Sequence, residues 1–168
     1  MNRFLTLLAF GAAAALNAQN PFSGDAKQSY TGIKNILLRA ADKMPEADYG
    51  FRTVPAVRTY GEMVAHVADI QVALCAMVKG EQKRPDAASK KTKADIAAAL
   101  KASFDYCDPL YDSMTDAAGA QKIKMFGGEQ TKLGVLNFNV SHDNEMYGNM
   151  VAFLRIKGIV PPSSEGRP

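Results

Sequence analysis

The chain has 168 residues, 47% of them hydrophobic and 22% charged, with a formal net charge of +3. That is enough for one domain with a hydrophobic core of its own, and two cysteines are too few for a disulfide-built miniprotein. Only Lys90, Lys91 and Lys93 cluster among the basic residues, so the concentrated basic face that phosphate backbones require is absent and nucleic acid is excluded as a partner.

Arg3, an apolar run from Phe4 to Leu16 and the small residues around Ala18 match the order of a secretory signal peptide. The run falls short of the roughly 20 residues a membrane span needs. The sequence thus predicts a signal peptide over 1–18, a single domain over 19–168, and a periplasmic or secreted protein with no stable membrane insertion. No later stretch is expected to span a membrane.

Four helices are predicted within the domain. The first covers about Asp25 to Lys43, with Ile33, Ile36, Leu37 and Ala40 at helical spacing and Met44-Pro45 to stop it. Residues 46–58 contain Gly50 and Pro55 and read as a loop. Thr59 with Glu62 three residues later is a capping box opening the second helix. Tyr60, Met63, Val64, Val67, Gln71, Leu74 and Val78 carry its period, and Gly80 suits its left-handed cap. Residues 81–91 are a polar linker. The third helix spans about Lys93 to Asp112, capped by Thr92 or Ser89, and Pro109 should kink or weaken its last turn. Residues 113–130 read as irregular, with a tight turn at Phe126-Gly127-Gly128-Glu129.

The fourth helix runs from near Thr131 to Lys157, with Gly158 as its cap and Pro161-Pro162 as its stop. Leu133, Leu136, Val140, Tyr147, Val151 and Leu154 form one apolar stripe, and Val135, Phe138, His142, Met146 and Phe153 form another on the opposite side. Two apolar faces place this helix between neighbours. Amphipathic segments joined by short loops predict an all-α four-helix bundle, in which sites form from side chains projecting inward. Cys75 and Cys107 fall on different helices without CxxC spacing. They are either two small buried side chains or one interhelical disulfide.

The two histidines, His66 and His142, each lie on an inward stripe of a different helix and are expected to face each other. Four residues beyond His142, on the same helix face, stands Met146. Its thioether suits Cu(I) and is a poor ligand for zinc, nickel or iron(II). Asp143 and Glu145 are nearby carboxylates, and Glu145 could serve as a base beside a metal-bound water. Gly127-Gly128 is too short to cradle a phosphate, and no GxSxG motif is present.

The segments Met44–Arg52, Arg58–Val67, Ser141–Asn149 and Leu154–Pro162 resemble, in order, the hallmark segments of the DinB-like superfamily. The resemblance implies a four-helix bundle, often a homodimer, with three histidines binding a divalent metal. His66 and His142 match two of them, and Met146 stands where the third would be. The implied chemistry is of thiol-dependent transferase or hydrolase type on an unidentified small molecule. Three readings are open: a metal-dependent enzyme using Zn, Ni or Fe, with water or Glu145 completing the shell; a binding or stress-associated bundle that has lost its metal; and a His2Met copper(I) site.

Overall fold

Helix α1 begins at Pro21, four residues before the predicted start, because its first turn is capped from a distant part of the chain. The computed structural model describes residues 20–166, so the predicted signal peptide lies outside the described residues. Asn20 takes the cap position and Pro21 the first helical one, where a missing N–H costs nothing. The free amides of Phe22 and Ser23 donate to the Asp116 carboxylate at 3.3 and 2.7 Å, and Asp116 N–H donates back to Asn20 Oδ1 at 2.9 Å. α1 then runs to Lys43.

Helix α2 covers Tyr60–Lys79 and opens on the predicted capping box: Glu62 N–H donates to Thr59 Oγ1 at 3.1 Å and Thr59 N–H to Glu62 Oε2 at 2.7 Å. Gly80, at φ +72°, ends it. Gly61 sits where Tyr49 crosses. Its N–H donates to the Tyr49 carbonyl at 2.8 Å, and a Cβ there would lie 3.0 Å from the Tyr49 ring. Contrary to the sequence expectation, α2 is long and apolar enough to cross a membrane. Its apolarity is that of a core helix, with Val64, Val67, Leu74 and Cys75 buried.

Helix α3, Lys93–Ser113, is capped by Thr92 rather than Ser89 and continues a full turn past Pro109. The short helix α4, Asp116–Gly119, comes next. Where the sequence suggests irregular chain, strands β1 (Lys122–Met125) and β2 (Gly128–Thr131) pair antiparallel, with Met125 opposite Gly128. The turn is therefore two residues long, Phe126-Gly127, both at positive φ (+49° and +81°), which is the arrangement that matches strand twist.

Helix α5 spans Lys132–Ile156, capped by Thr131. The two expected stripes are in fact the flanks of one broad buried face. Asn139, Asp143 and Met150, fully buried, run down its middle, while Phe138 is 43% exposed. Steps of about 100° per residue place 139, 143, 146 and 150 on one line, so the innermost row carries two polar side chains.

The four long helices are arranged in a ring: α1 packs on α3, α3 on α2, α2 on α5, and α5 on α1. Tyrosines join them. Tyr60 and Tyr49 donate to the carbonyls of Ala40 and Ala41, each at 2.7 Å, and Tyr111 donates to that of Leu136 at 2.9 Å. The rings of Tyr30 and Tyr111 stack 3.7 Å apart. Cys75 and Cys107 form a disulfide joining α2 to α3, which decides between the two readings of this pair.

Candidate metal centre

His66, in the second turn of α2, and His142, near the middle of the neighbouring α5, bring their side chains together. Nε2 of one ring lies 3.2 Å from Nε2 of the other, with the rings tilted by 69°. As free imidazoles they can form one hydrogen bond, one ring donating and the other accepting. Burial, followed by the charge of Arg58 and the neighbouring ring, holds His66 below the ordinary histidine range; Asp69 and Glu145 oppose this. Protonation is thereby disfavoured, and a neutral imidazole is the form that ligates metal.

The spacing bears directly on whether the pair fits an ion. Two nitrogens bound at about 2.0 Å to one tetrahedral centre stand about 3.3 Å apart, close to the 3.2 Å observed. Both lone pairs would then be used at Nε2, leaving each Nδ1 protonated and in need of an acceptor. His142 Nδ1 is buried without a hydrogen-bond partner, and the Asp143 carboxylate is 3.8 Å away. That is too long for a hydrogen bond, but it is the pairing that orients metal-bound histidines. Asp143 is fully buried, neither of its oxygens has a partner, and burial pushes its carboxyl up to about 6, with His142 acting in the opposite direction.

Met146 belongs to the buried apolar core at 8% exposure. Among the described residues, no group of three or more His, Cys, Asp or Glu side chains is placed to hold an ion. Glu145 is exposed on α5 and reaches His66 only through its charge. The residues present thus fit two positions of a metal's shell.

Sequence reasoning misses the polar residues behind the pair. Asn139 Nδ2 donates to Gln71 Oε1 at 2.6 Å and lies 3.3 Å from the Tyr111 hydroxyl, all within the core. In the sequence, Gln71 reads only as one more position of an apolar period. The available signal is the i, i+4 spacing of Asn139 and Asp143, which shares a face with the core positions.

An open cleft of 770 Å³ lies against His66, between the start of α2, the 46–58 loop and the 86–91 turn.

Comparison with known proteins agrees with this architecture. The family model of the DinB superfamily matches residues 30–148, which include His66, His142 and Met146. Among solved structures, a DinB-like protein from Bacillus cereus ATCC 10987 superposes with a TM-score of 0.71 at 17% identity, covering 80% of this chain and 92% of that one. A DinB-like protein from Bacillus subtilis gives 0.66 at 18% identity, with the same coverage of 80% and 92%. A mutant of the mycothiol-dependent maleylpyruvate isomerase gives 0.64 at 13% identity, covering 77% of this chain and 59% of that one. A search of curated proteins finds no match. With more than half of its length matched by the family model, this chain belongs to the DinB superfamily.

Proposed function

We propose that this is an exported protein whose His66–His142 pair binds one divalent metal ion, Zn, Ni or Fe, in a reduced site where Met146 replaces the third histidine. The observation that carries the reading is the 3.2 Å approach of the two Nε2 atoms from different helices. Burial that disfavours protonation of His66, and a carboxylate beside His142 Nδ1, support it. A bound ion would act as a Lewis acid, lowering the pKa of a thiol or water in its open positions. The thiol arm of that reading draws on the mycothiol-dependent isomerase among the structural neighbours. Export is supported by the leader-like order of residues 1–18 and by the Cys75–Cys107 disulfide, which suits an oxidising compartment.

A second reading, a bundle that has lost its metal and serves as a binding module, is favoured by one observation: no third His, Cys, Asp or Glu joins the pair among the described residues. Metal titration of protein purified without a polyhistidine tag separates the two. One ion per chain, lost in His66→Ala and in His142→Ala, supports the metal site. No binding, or binding that survives both substitutions, leaves the second reading. Preference for Cu(I) over Zn(II) would identify the His2Met alternative.

A further inference from the structure

The cleft beside His66 has the volume of a small-molecule site, typically about 300–1,000 Å³. Arg58, two residues before α2, is followed at four-, four- and three-residue intervals by Glu62, His66 and Asp69 along the cleft side of that helix. The facing wall is the 86–91 turn, and Asp69 holds it in place. Its carboxylate accepts the Ala87 and Ala88 amides at 2.7 and 3.0 Å. Asp69 thereby positions Lys90 and Lys91 over the cleft.

Half of the charged side chains lining this space are already committed. Glu62 accepts the Thr59 amide and lies 3.8 Å from Arg52, Asp69 is held by the two turn amides, and Lys90 pairs with Asp86 at 2.7 Å. Among the described residues, Arg58 and Lys91 have no ion-pair or side-chain hydrogen-bond partner, and Glu46 is the one uncommitted carboxylate. The cleft thus presents two free cations, one of them a planar fork of five donors matched to an oxyanion. Tyr49 and Ile96 supply its apolar lining.

We propose that this cleft binds a small organic anion, with Arg58 and Lys91 holding a carboxylate or phosphate group and the body of the molecule turned toward the His66–His142 pair. The assignment deepens the metal-site reading and rests on it for the direction in which the ligand faces. Anion binding itself requires no metal.

The test is calorimetry on the purified protein, before and after treatment with chelator, using succinate, inorganic phosphate and neutral succinamide as probes. Saturable binding of succinate or phosphate, and none of succinamide, is the expected result. Arg58→Gln and Lys91→Gln should each weaken it by about 10-fold, as loss of a charge-assisted contact does. Lys101→Gln, on the exposed side of α3, should leave it unchanged. Preference for succinate assigns a carboxylate ligand, and preference for phosphate assigns a phosphoryl one. Equal binding of succinamide, affinity unchanged in both glutamine variants, or no saturation by either anion up to about 50 mM overturns the proposal. Anion binding that persists without any metal binding would refute the metal reading alone. Metal binding without anion binding would refute the anion site alone.

Discussion

The same substitution, glycine to alanine, should have opposite signs at two helical positions. At Gly61 an added Cβ would lie 3.0 Å from Tyr49 Cδ1, 3.2 Å from the Tyr49 carbonyl oxygen and 3.4 Å from Ile96 Cδ1. Ordinary carbon contacts begin at about 3.5 Å, so Tyr49 would have to retreat by several tenths of an ångström. It is held at both ends, its hydroxyl on the Ala41 carbonyl at 2.7 Å and its own carbonyl on the Gly61 amide at 2.8 Å. Overpacking of this kind costs about 1–3 kcal/mol, more than the gain of up to about 1 kcal/mol in helix propensity. At Gly148, in the middle of α5, an added Cβ meets nothing within 4 Å. There the propensity gain stands alone, at about 0.5–1 kcal/mol. With a net loss of about 2 kcal/mol at Gly61 and about 2–4 °C per kcal/mol for a domain of this size, Gly61→Ala should lower the melting temperature by roughly 4–8 °C and Gly148→Ala raise it by roughly 1–4 °C. Thermal denaturation of the two variants beside wild type reads both. A Gly61→Ala protein as stable as wild type would show that Tyr49 is free to move and that the close approach does not constrain the fold.

Further expectations concern the core and the histidine pair. Asp143→Asn removes a charge that burial disfavours. A carboxyl raised from 3.8 to about 6 stabilises the fold only while protonated, so its contribution is whole below about pH 4 and is lost as pH rises through about 6. With chelator present, the variant should match wild type near pH 4 and exceed it by about 3 kcal/mol near pH 8; a variant less stable at both pH values would contradict this. Met146→His should create an i, i+4 histidine pair on α5 and add a metal-dependent rise in melting temperature with Zn(II) or Ni(II). Absence of that rise would show that position 146 does not converge on the pair. Reducing the Cys75–Cys107 disulfide, which closes a 32-residue separation, should cost about 4 kcal/mol by the chain-entropy relation. A melt unchanged by reductant would argue against that contribution.

The long elements are legible because their signals are local. Thr59 and Glu62 cap α2 within four residues, Gly80 and Gly158 supply positive φ at helix ends, and the apolar periods locate α1, α2 and α3. The inward placement of both histidines comes from the same periodicity and from the resemblance. What escapes depends on partners distant in sequence. Asp116 caps α1 from more than 90 residues away, and locally only Asn20-Pro21, ahead of the apolar period, marks the helix start. Burial of Asn139 and Asp143 beneath the apolar flanks of α5 is a property of the packed ring, in which Gln71 of α2 supplies Asn139 with its acceptor. The hairpin leaves a fainter trace, the alternation Lys122-Ile123-Lys124-Met125 before Phe126-Gly127, too short to outweigh the polar residues around it.

The Cys75–Cys107 bond also determines which parts of the bundle are free to separate. It makes α2 and α3 a covalent unit, whereas among the described residues α5 is held to that unit by packing and a few hydrogen bonds, from Tyr111 to Leu136 and from Asn139 to Gln71. The two histidines lie on opposite sides of this weaker seam, one on α2 and one on α5. An ion shared between them would clasp α5, which the disulfide leaves uncrosslinked, to α2. Occupancy would then raise the cost of every opening that parts α5 from α2, global unfolding included. Amide hydrogen exchange should record this as protection gained by the α5 amides that exchange through local opening when metal is added, and no gain along α5 would exclude such a clasp.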